Sequence, residues 1–168
     1  MLFAAGGNKP NNLLCLLLLT SCQTDLDDEA DCLQTDILLV PTSLELEYGC
    51  SDTRYLEVDL SEDYALVGSQ EEFEVLVTGE SCRPEIDFGT YDLVIGKKAL
   101  SSGNSYIGYD LGYTCTRKEL LLKVTFYQNL TTVAPNITYH ALIPKLQDGE
   151  RVKVEFESKP AGPQPFDS

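Results

Sequence analysis

The sequence predicts a mostly β domain of the α+β class, with one helix near residues 70–78 and an antiparallel sheet of about seven or eight short strands. From residue 37 onward, short segments recur in which polar and apolar residues alternate or in which apolar residues run together. Turn residues such as Ser102-Gly103-Asn104 separate several of these segments. Only one stretch spaces its apolar residues as an amphipathic helix does.

The predicted strands are short, and each has the alternation or the apolar content of a strand. They are Ser43–Tyr48, Arg54–Leu60, Tyr64–Val67, Tyr91–Ile95, Ser105–Leu111, Glu119–Phe126, Thr138–Ile143 and Arg151–Phe156. The pair Asp148-Gly149 precedes the last of them, and this pair is typical of a tight hairpin turn. We therefore predict that the last two strands are neighbours in the sheet.

The predicted helix begins after Ser69, which has Glu72 three residues later and so forms the pattern of a capping box. Its apolar residues lie at helical spacing on one face: Phe73, Leu76 and Val77. Gly79 is positioned to end the helix, because glycine adopts the left-handed backbone of a C-terminal cap.

The composition supports one globular domain with an acidic surface. The chain has 168 residues, 43% of them hydrophobic, and a formal net charge of −15. This length and apolar content suffice for one buried core. Nucleic acid is excluded as the expected partner, because phosphate recognition requires a basic face.

The N-terminal segment predicts export and lipid attachment. Leu13–Leu19 is a short apolar run of the length found in signal peptides, too short to span a bilayer. The following Leu19-Thr20-Ser21-Cys22 resembles a bacterial lipobox, in which the cysteine is lipidated. We therefore predict a signal peptide over residues 1–21 and an anchor on Cys22. The alternative is a signal peptide cut without lipidation, which would leave Cys22 an ordinary thiol.

Residues 22–40 are predicted to form an acidic tether that holds the domain away from the membrane. Carboxylates at positions 25, 27, 29 and 31 also resemble the start of a calcium loop, but Ala30 occupies the position that needs glycine. An acidic stretch after the lipidated cysteine further resembles the surface-export signal of Bacteroidetes lipoproteins. The expected location is the cell envelope, at the outer membrane, and a working export signal would place the domain on the surface. Residues 41–157 are the predicted domain, and residues 158–168 a loose proline-rich tail.

Four cysteines remain beyond the signal peptide and the lipidation site. In an exported protein, Cys32, Cys50, Cys82 and Cys115 predict two disulfides, with three possible connectivities. We favour Cys82–Cys115, which leaves Cys32–Cys50. Zinc is the alternative, but no C-x-x-C spacing is present and the single histidine, His140, is remote in sequence. No metal or cofactor is therefore expected.

The sequence contains no fingerprint of catalysis. A histidine-based nucleophile would have to use His140, which lies in a predicted strand. The carboxylates Glu85 and Asp87 lie close together in sequence, as in a glycosidase pair, but a chain with 27 acidic residues contains many such pairs. We therefore expect a non-enzymatic protein. A cryptic carboxylate-based hydrolase or glycan-active protein is the alternative.

Residues 64–156 resemble the C-terminal domain of PrcB-like protease-complex-stabilising lipoproteins and, more closely, small Bacteroidetes lipoproteins of the same layout. The matching phrases are Ser69–Phe73, Ile86–Phe88, Tyr91–Gly96 and Ala141–Lys145. The Gly-Gly-Tyr phrase of that family is replaced here by Gly103-Asn104-Ser105-Tyr106. The resemblance implies an α+β domain that binds or stabilises another envelope protein, and it implies no catalytic residue.

The predicted function is therefore a membrane-anchored, non-enzymatic module that binds or stabilises another envelope or surface protein. Four tyrosines are candidates for its contact surface: Tyr106, Tyr109, Tyr113 and Tyr127. The alternative is that these rings pair across neighbouring strands of the sheet.

Overall fold

The computed structural model describes residues 37–60, 63–114 and 118–162. In chain order the elements are β1 (Ile37–Leu39), α1 (Leu44–Tyr48), a 3-10 helix (Thr53–Tyr55), β2 (Tyr64–Val67), α2 (Gln70–Leu76), β3 (Tyr91–Ala99), β4 (Asn104–Thr114), β5 (Glu119–Gln128), β6 (Asn136–Pro144) and β7 (Arg151–Pro160). Within the described ranges, none of the helices combines the length and the apolar character needed to span a bilayer.

The strands form two sheets rather than the single sheet predicted. One has four strands in the order β1-β4-β5-β7, and the other has three in the order β2-β3-β6. All pairs are antiparallel except β5 and β7, which run parallel. The mostly β, α+β class is confirmed. The single antiparallel sheet is wrong, because the three-stranded sheet lies in the middle of a layered domain and is covered on both faces.

Side chains alternate between the two faces of the three-stranded sheet, and β6 shows this clearly. Its Leu142 packs with the helices, whereas Tyr139 and Ala141 pack against the four-stranded sheet. Two separate cores result. The core on the helix side contains Leu44, Leu56, Val58, Val67, Phe73, Val77, Cys82, Ile86, Leu93, Ile95 and Leu142. The core between the sheets contains Val94, Leu100, Leu111, Leu120, Leu122, Val124, Phe126, Ile137, Tyr139, Ala141 and Ile143.

The predicted helix is confirmed as α2, with its capping residue in place. The Ser69 hydroxyl accepts a hydrogen bond from the Glu72 N–H at 3.3 Å. A reciprocal capping box would require the Glu72 carboxylate to accept from the Ser69 N–H. It accepts instead from the Gly68 N–H. The helix ends earlier than predicted, because Val77 is already extended and caps it, so Gly79 does not close it.

The segment predicted as the strand Ser43–Tyr48 is instead the helix α1. The Ser43 hydroxyl accepts from the Leu46 N–H, and Gly49 ends the helix with a left-handed φ of 68°. The single buried residue of this helix, Leu44, enters the core on the helix side. Alternation of polar and apolar residues over five positions fits a short surface helix as well as a strand, and the two caps decide for the helix.

The strand predicted over Arg54–Leu60 is also wrong. Its first residues belong to the 3-10 helix, and Val58 makes only an isolated bridge to Val77. Leu56 and Val58 are buried between the helices and the three-stranded sheet. Their alternation therefore reflects a segment lying across a core, without a neighbouring strand along its length.

The hairpin predicted at Asp148-Gly149 does not form, although the turn itself is present. Gly149 has the positive φ of 82° expected for it. The chain then leaves β6, and β7 pairs with β5 in the other sheet. Val152 and Val154 pack against the core between the sheets. This packing requires β7 to lie beside β5, in the four-stranded sheet.

The predicted domain limits move outward at both ends. Residues 37–39, predicted as tether, pair with residues 111–113 of β4 as β1. At the other end β7 continues to Pro160, so the segment predicted as loose tail begins inside a strand. The predicted signal peptide, Cys22 and most of the tether lie outside the described residues.

A disulfide joins Cys50 and Cys82, whose Cα atoms are 5.5 Å apart. This bond takes one cysteine from each predicted pair, so both favoured pairings, Cys82–Cys115 and Cys32–Cys50, are wrong. Cys50 follows α1 and Cys82 follows α2, and both pack against the core on the helix side. Cys32 and Cys115 lie outside the described residues.

Candidate functional site

An open cleft of about 830 Å³ lies where β4 faces the chain that connects β1 to the 3-10 helix. Its walls come from Val40–Ser43, Glu45, Leu46, Asp52–Arg54, Ser105–Asp110, Thr125, Tyr127 and Thr138. Both sheets and both segments that the sequence mispredicted as strands therefore contribute to it.

One wall of the cleft is an open strand edge. β1 pairs only with residues 111–113 of β4, so among the described residues no strand lies beside residues 104–110 on that side. The Arg151 N–H donates to the Lys118 carbonyl, which shows that even-numbered residues of β5 face β7. Odd-numbered residues of β5 therefore face even-numbered residues of β4. Ile107 and Tyr109 consequently present their backbone groups to the cleft.

Arg54 is hydrogen-bonded to the first residues of β4. Its guanidinium Nη1 donates to the carbonyls of Asn104 and Ser105 at 3.2 and 2.9 Å. A half-buried arginine that donates to two carbonyls fixes the 3-10 helix against the start of β4.

The floor of the cleft connects the two sheets through Tyr109. Its hydroxyl accepts a hydrogen bond from the His140 backbone N–H at 3.1 Å. That N–H points away from β3, where a further strand of the sheet would lie. Burial raises the pKa of Tyr109 well above its usual range, so the hydroxyl stays neutral at physiological pH.

His140 lies beneath the cleft and contacts Glu45 at its rim. The His140 Nε2 is 3.4 Å from the Glu45 carboxylate, and the two side chains are 3% and 38% exposed. The His140 Nδ1 has no hydrogen-bond partner among the described residues. Partial burial would raise the pKa of Glu45, but hydrogen bonds from His140 and the Ser43 side chain outweigh it and leave that pKa below its usual value.

This shift makes stability depend on acidity. Because the folded pKa of Glu45 lies below the unfolded value of about 4.5, the unfolded chain binds more protons as the pH falls through that range. The free energy of unfolding should therefore decrease below about pH 4.5, and less steeply in Glu45→Gln. Urea titrations at pH 3 to 7, in steps of about one pH unit, measure the slope of the unfolding free energy against pH for both proteins.

Glu47→Gln is the matched control, because it makes the same change on the same helix away from His140. It should keep the wild-type slope. Asp87 and Glu157 also have lowered pKa values and remain in both variants, so the slope is reduced rather than abolished. Equal slopes in wild type and Glu45→Gln would contradict the assignment.

Stacked tyrosines form the outer side of the cleft. The rings of Tyr106 and Tyr127 lie 4.1 Å apart at an angle of 15°. A Cβ at Gly108 would lie only 3.1 Å from the Tyr127 ring, so glycine makes room for that ring. Tyr113 lies outside the cleft and donates to Glu150 at 2.8 Å. Three of the four candidate tyrosines therefore line the cleft: Tyr106, Tyr109 and Tyr127. Tyr106 and Tyr127 are also paired across neighbouring strands.

The candidate carboxylates Glu85 and Asp87 are exposed on the segment after α2, away from the cleft. Asp87 accepts from Thr90 Oγ1 and from Gly89 N–H, and these bonds keep its pKa below its usual value. Asp87 thus closes a local turn in its ionised form. Among the residues that the structure describes, no group of three or more histidine, cysteine or acidic side chains is placed to hold a metal ion.

Two cleft residues, Glu45 and Arg54, were not candidates from the sequence. Arg54 had one available signal, since Arg54 and Arg83 are the only basic residues between positions 22 and 92. Glu45 had none, because its role depends on the approach of His140 from a distant strand. Cys22 and the acidic cluster at positions 25–31 lie outside the described residues.

Comparison of the chain with protein-family models, curated proteins and solved structures finds no match. The resemblance to PrcB-like lipoproteins therefore stays a prediction from the sequence phrases quoted above.

Proposed function

We propose that this chain is a lipid-anchored envelope protein that binds or stabilises another envelope or surface protein without catalysing a reaction. The anchor in this proposal is Cys22, and the expected location is the outer membrane. The observation that carries the binding role is the open edge of β4 in the cleft. An extended segment of the partner adds there as a further strand.

The cleft offers what strand addition requires. Ile107 and Tyr109 supply backbone groups along one edge, which determine affinity with little regard to sequence. The exposed side chains of Val40 and Leu46 supply apolar contacts on the opposite rim. The neighbouring tyrosine pair adds aromatic surface of the kind enriched in protein interfaces.

The charges of the cleft favour a basic partner segment. Three carboxylates line it: Glu45, Asp52 and Asp110. The guanidinium of Arg54, which donates to two carbonyls, is the single cation among these lining residues, so the cleft is net acidic. A segment carrying lysine or arginine complements these carboxylates and avoids like-charge contacts.

Ile107→Pro tests strand addition directly. It removes the backbone N–H that faces the cleft and spares the hydrogen bonds of β4 to β5. Partner proteins are first identified by mass spectrometry after the intact chain is purified from Gram-negative envelopes. The affinity of peptides from the main partner should then fall about tenfold in Ile107→Pro, as expected for one lost hydrogen bond plus poorer contact.

Ser158→Pro is the matched control, because it places proline on the exposed edge of β7 and leaves the cleft unchanged. It should bind like the wild type. The proposal fails if no stoichiometric partner is recovered, or if Ile107→Pro binds the partner peptides as tightly as Ser158→Pro does.

The anchor is tested separately with Cys22→Ala. Wild-type protein should incorporate radiolabelled palmitate and partition into detergent, and Cys22→Ala should do neither, because each buried methylene contributes about 0.8 kcal/mol to membrane binding. Cys32→Ala serves as the control and should label normally. Labelling of Cys22→Ala at the wild-type level would refute the anchor and leave the cleft hypothesis standing.

A further inference from the structure

β7 forms the outer edge of the four-stranded sheet. It is ten residues long, and among the described residues only β5 pairs with it. Its outer face is largely exposed, whereas Val152 and Val154 on its inner face pack against the core between the sheets. A long strand edge presents a row of backbone donors and acceptors that can pair with another chain. What the edge of β7 can accept depends on which residues face outward and on their charges.

The hydrogen bonds at both ends of β7 show which backbone groups point to its open edge. Arg151 N–H donates to Lys118 and Ala161 N–H donates to Gln128, so odd-numbered residues face β5. Even-numbered residues therefore face the open edge. In agreement, the Val152 carbonyl accepts from the hydroxyl of Tyr64, a residue of the other sheet, at 3.5 Å. The second lone pair of this carbonyl is the one that a further strand would use.

The side chains of β7 form a self-complementary series. On the outer face of the sheet, two basic residues precede two acidic ones: Arg151, Lys153, Glu155 and Glu157. Read in the opposite direction, the same series presents acidic residues to basic ones. A second copy that runs antiparallel and is centred on Val154 therefore places Arg151 opposite Glu157, and Lys153 opposite Glu155, each twice by symmetry.

Neighbouring registers lack this match. Centred on Lys153, the pairing sets Lys153 opposite its own copy. Centred on Glu155, it sets Glu155 opposite its own copy and Arg151 opposite Lys159. Like charges directly opposite each other destabilise a strand pair, so only the register centred on Val154 brings opposite charges together throughout.

The backbone geometry agrees with the same register. Val152 then lies opposite Phe156 of the second copy, and Val154 opposite itself, at positions that exchange hydrogen bonds. The charged pairs occupy the alternate positions, where side chains across an antiparallel pair lie closest. Phe156 is 37% exposed, and the second copy would cover its ring.

We infer that β7 is a homodimer interface, across which two copies of this chain form one continuous eight-stranded sheet. The cleft lies beside β4, which β5 separates from β7. Each copy in the dimer therefore keeps its cleft open. This interface does not depend on the proposed binding function, and its test reads association alone.

A charge exchange tests the register. Within one chain, Lys153 Nζ donates to Glu155 at 2.7 Å, so Lys153→Glu with Glu155→Lys keeps that contact and the contacts across the interface. Sedimentation equilibrium of the full chain in detergent should give a dimer for wild type and for the double variant. Lys153→Glu alone should raise the dimer Kd about tenfold, because two attractive pairs become repulsive.

Cross-linking provides a second measurement that does not rely on charge. Val154→Cys should form a covalent dimer under mild oxidation, because position 154 lies opposite itself. Val152→Cys, at an equivalent depth on the same strand, should not, because it lies opposite Phe156. A wild-type chain that stays monomeric at all concentrations, equal cross-linking of the two variants, or a double variant as weak as Lys153→Glu would each overturn the inference.

Discussion

Replacing Phe73 with alanine is expected to lower the free energy of unfolding by about 3–5 kcal/mol. Phe73 is 0% exposed and is the bulkiest side chain of the core on the helix side. Its ring fills the space between α2 and the three-stranded sheet. The remaining residues of that core come from separate segments, so they cannot easily collapse into the cavity. Urea unfolding followed by circular dichroism measures the loss.

Val75→Ala is the control for this prediction. Val75 belongs to the same helix but is 75% exposed, so its truncation should change stability by no more than about 0.5 kcal/mol. A loss below about 1 kcal/mol for Phe73→Ala would show that α2 does not seal this core, since cavities of this size cost more in packed interiors.

Removal of the disulfide is the second large effect. Cys50→Ala with Cys82→Ala should lower the free energy of unfolding by about 3–4 kcal/mol, since the bond closes a loop with a sequence separation of 32 residues. Alanine is chosen because Cys82 is buried, where a serine hydroxyl would need a partner. Urea unfolding under oxidising conditions measures the difference from the wild type.

The pairing itself is checked by proteolysis and mass spectrometry without reduction. A linked peptide pair containing Cys50 and Cys82 is expected in the wild type and in a control that lacks Cys32 and Cys115. Recovery of Cys82 linked to Cys115 would contradict the structure. The disulfide also bears on the cleft, because Cys50 follows α1, the helix that carries Glu45. Loss of the bond should therefore weaken partner binding as well as stability.

The helix α2 was predictable because its determinants are local. Ser69 caps it, and Phe73 and Val77 repeat on one face, so nearby residues specify both its start and its buried side. The positions of most strands in the second half of the chain were predictable for the same reason. Their ends were not, because β3 to β7 extend into residues that pairing, rather than local preference, keeps extended.

The helix α1 shows where local patterns are ambiguous. Ser43 and Gly49 provide its two caps, but the intervening alternation also fits a strand. Predicting this segment as a strand also hid part of the candidate site, since Glu45 and Leu46 of α1 line the cleft. Their contacts with distant strands had no counterpart in the sequence, so the cleft could not be predicted.

The sequence by itself determined the mostly β class, the helix α2, the turn at Gly149 and an apolar content sufficient for a buried core, because these follow from composition and from neighbours along the chain. Only the tertiary structure decided that β7 joins β5, that Cys50 joins Cys82 and that the edge of β4 stays open. Each of these depends on which distant segments share a buried surface. The strand partner of β7 is set by where Val152 and Val154 can be buried, and a turn of two residues does not encode that.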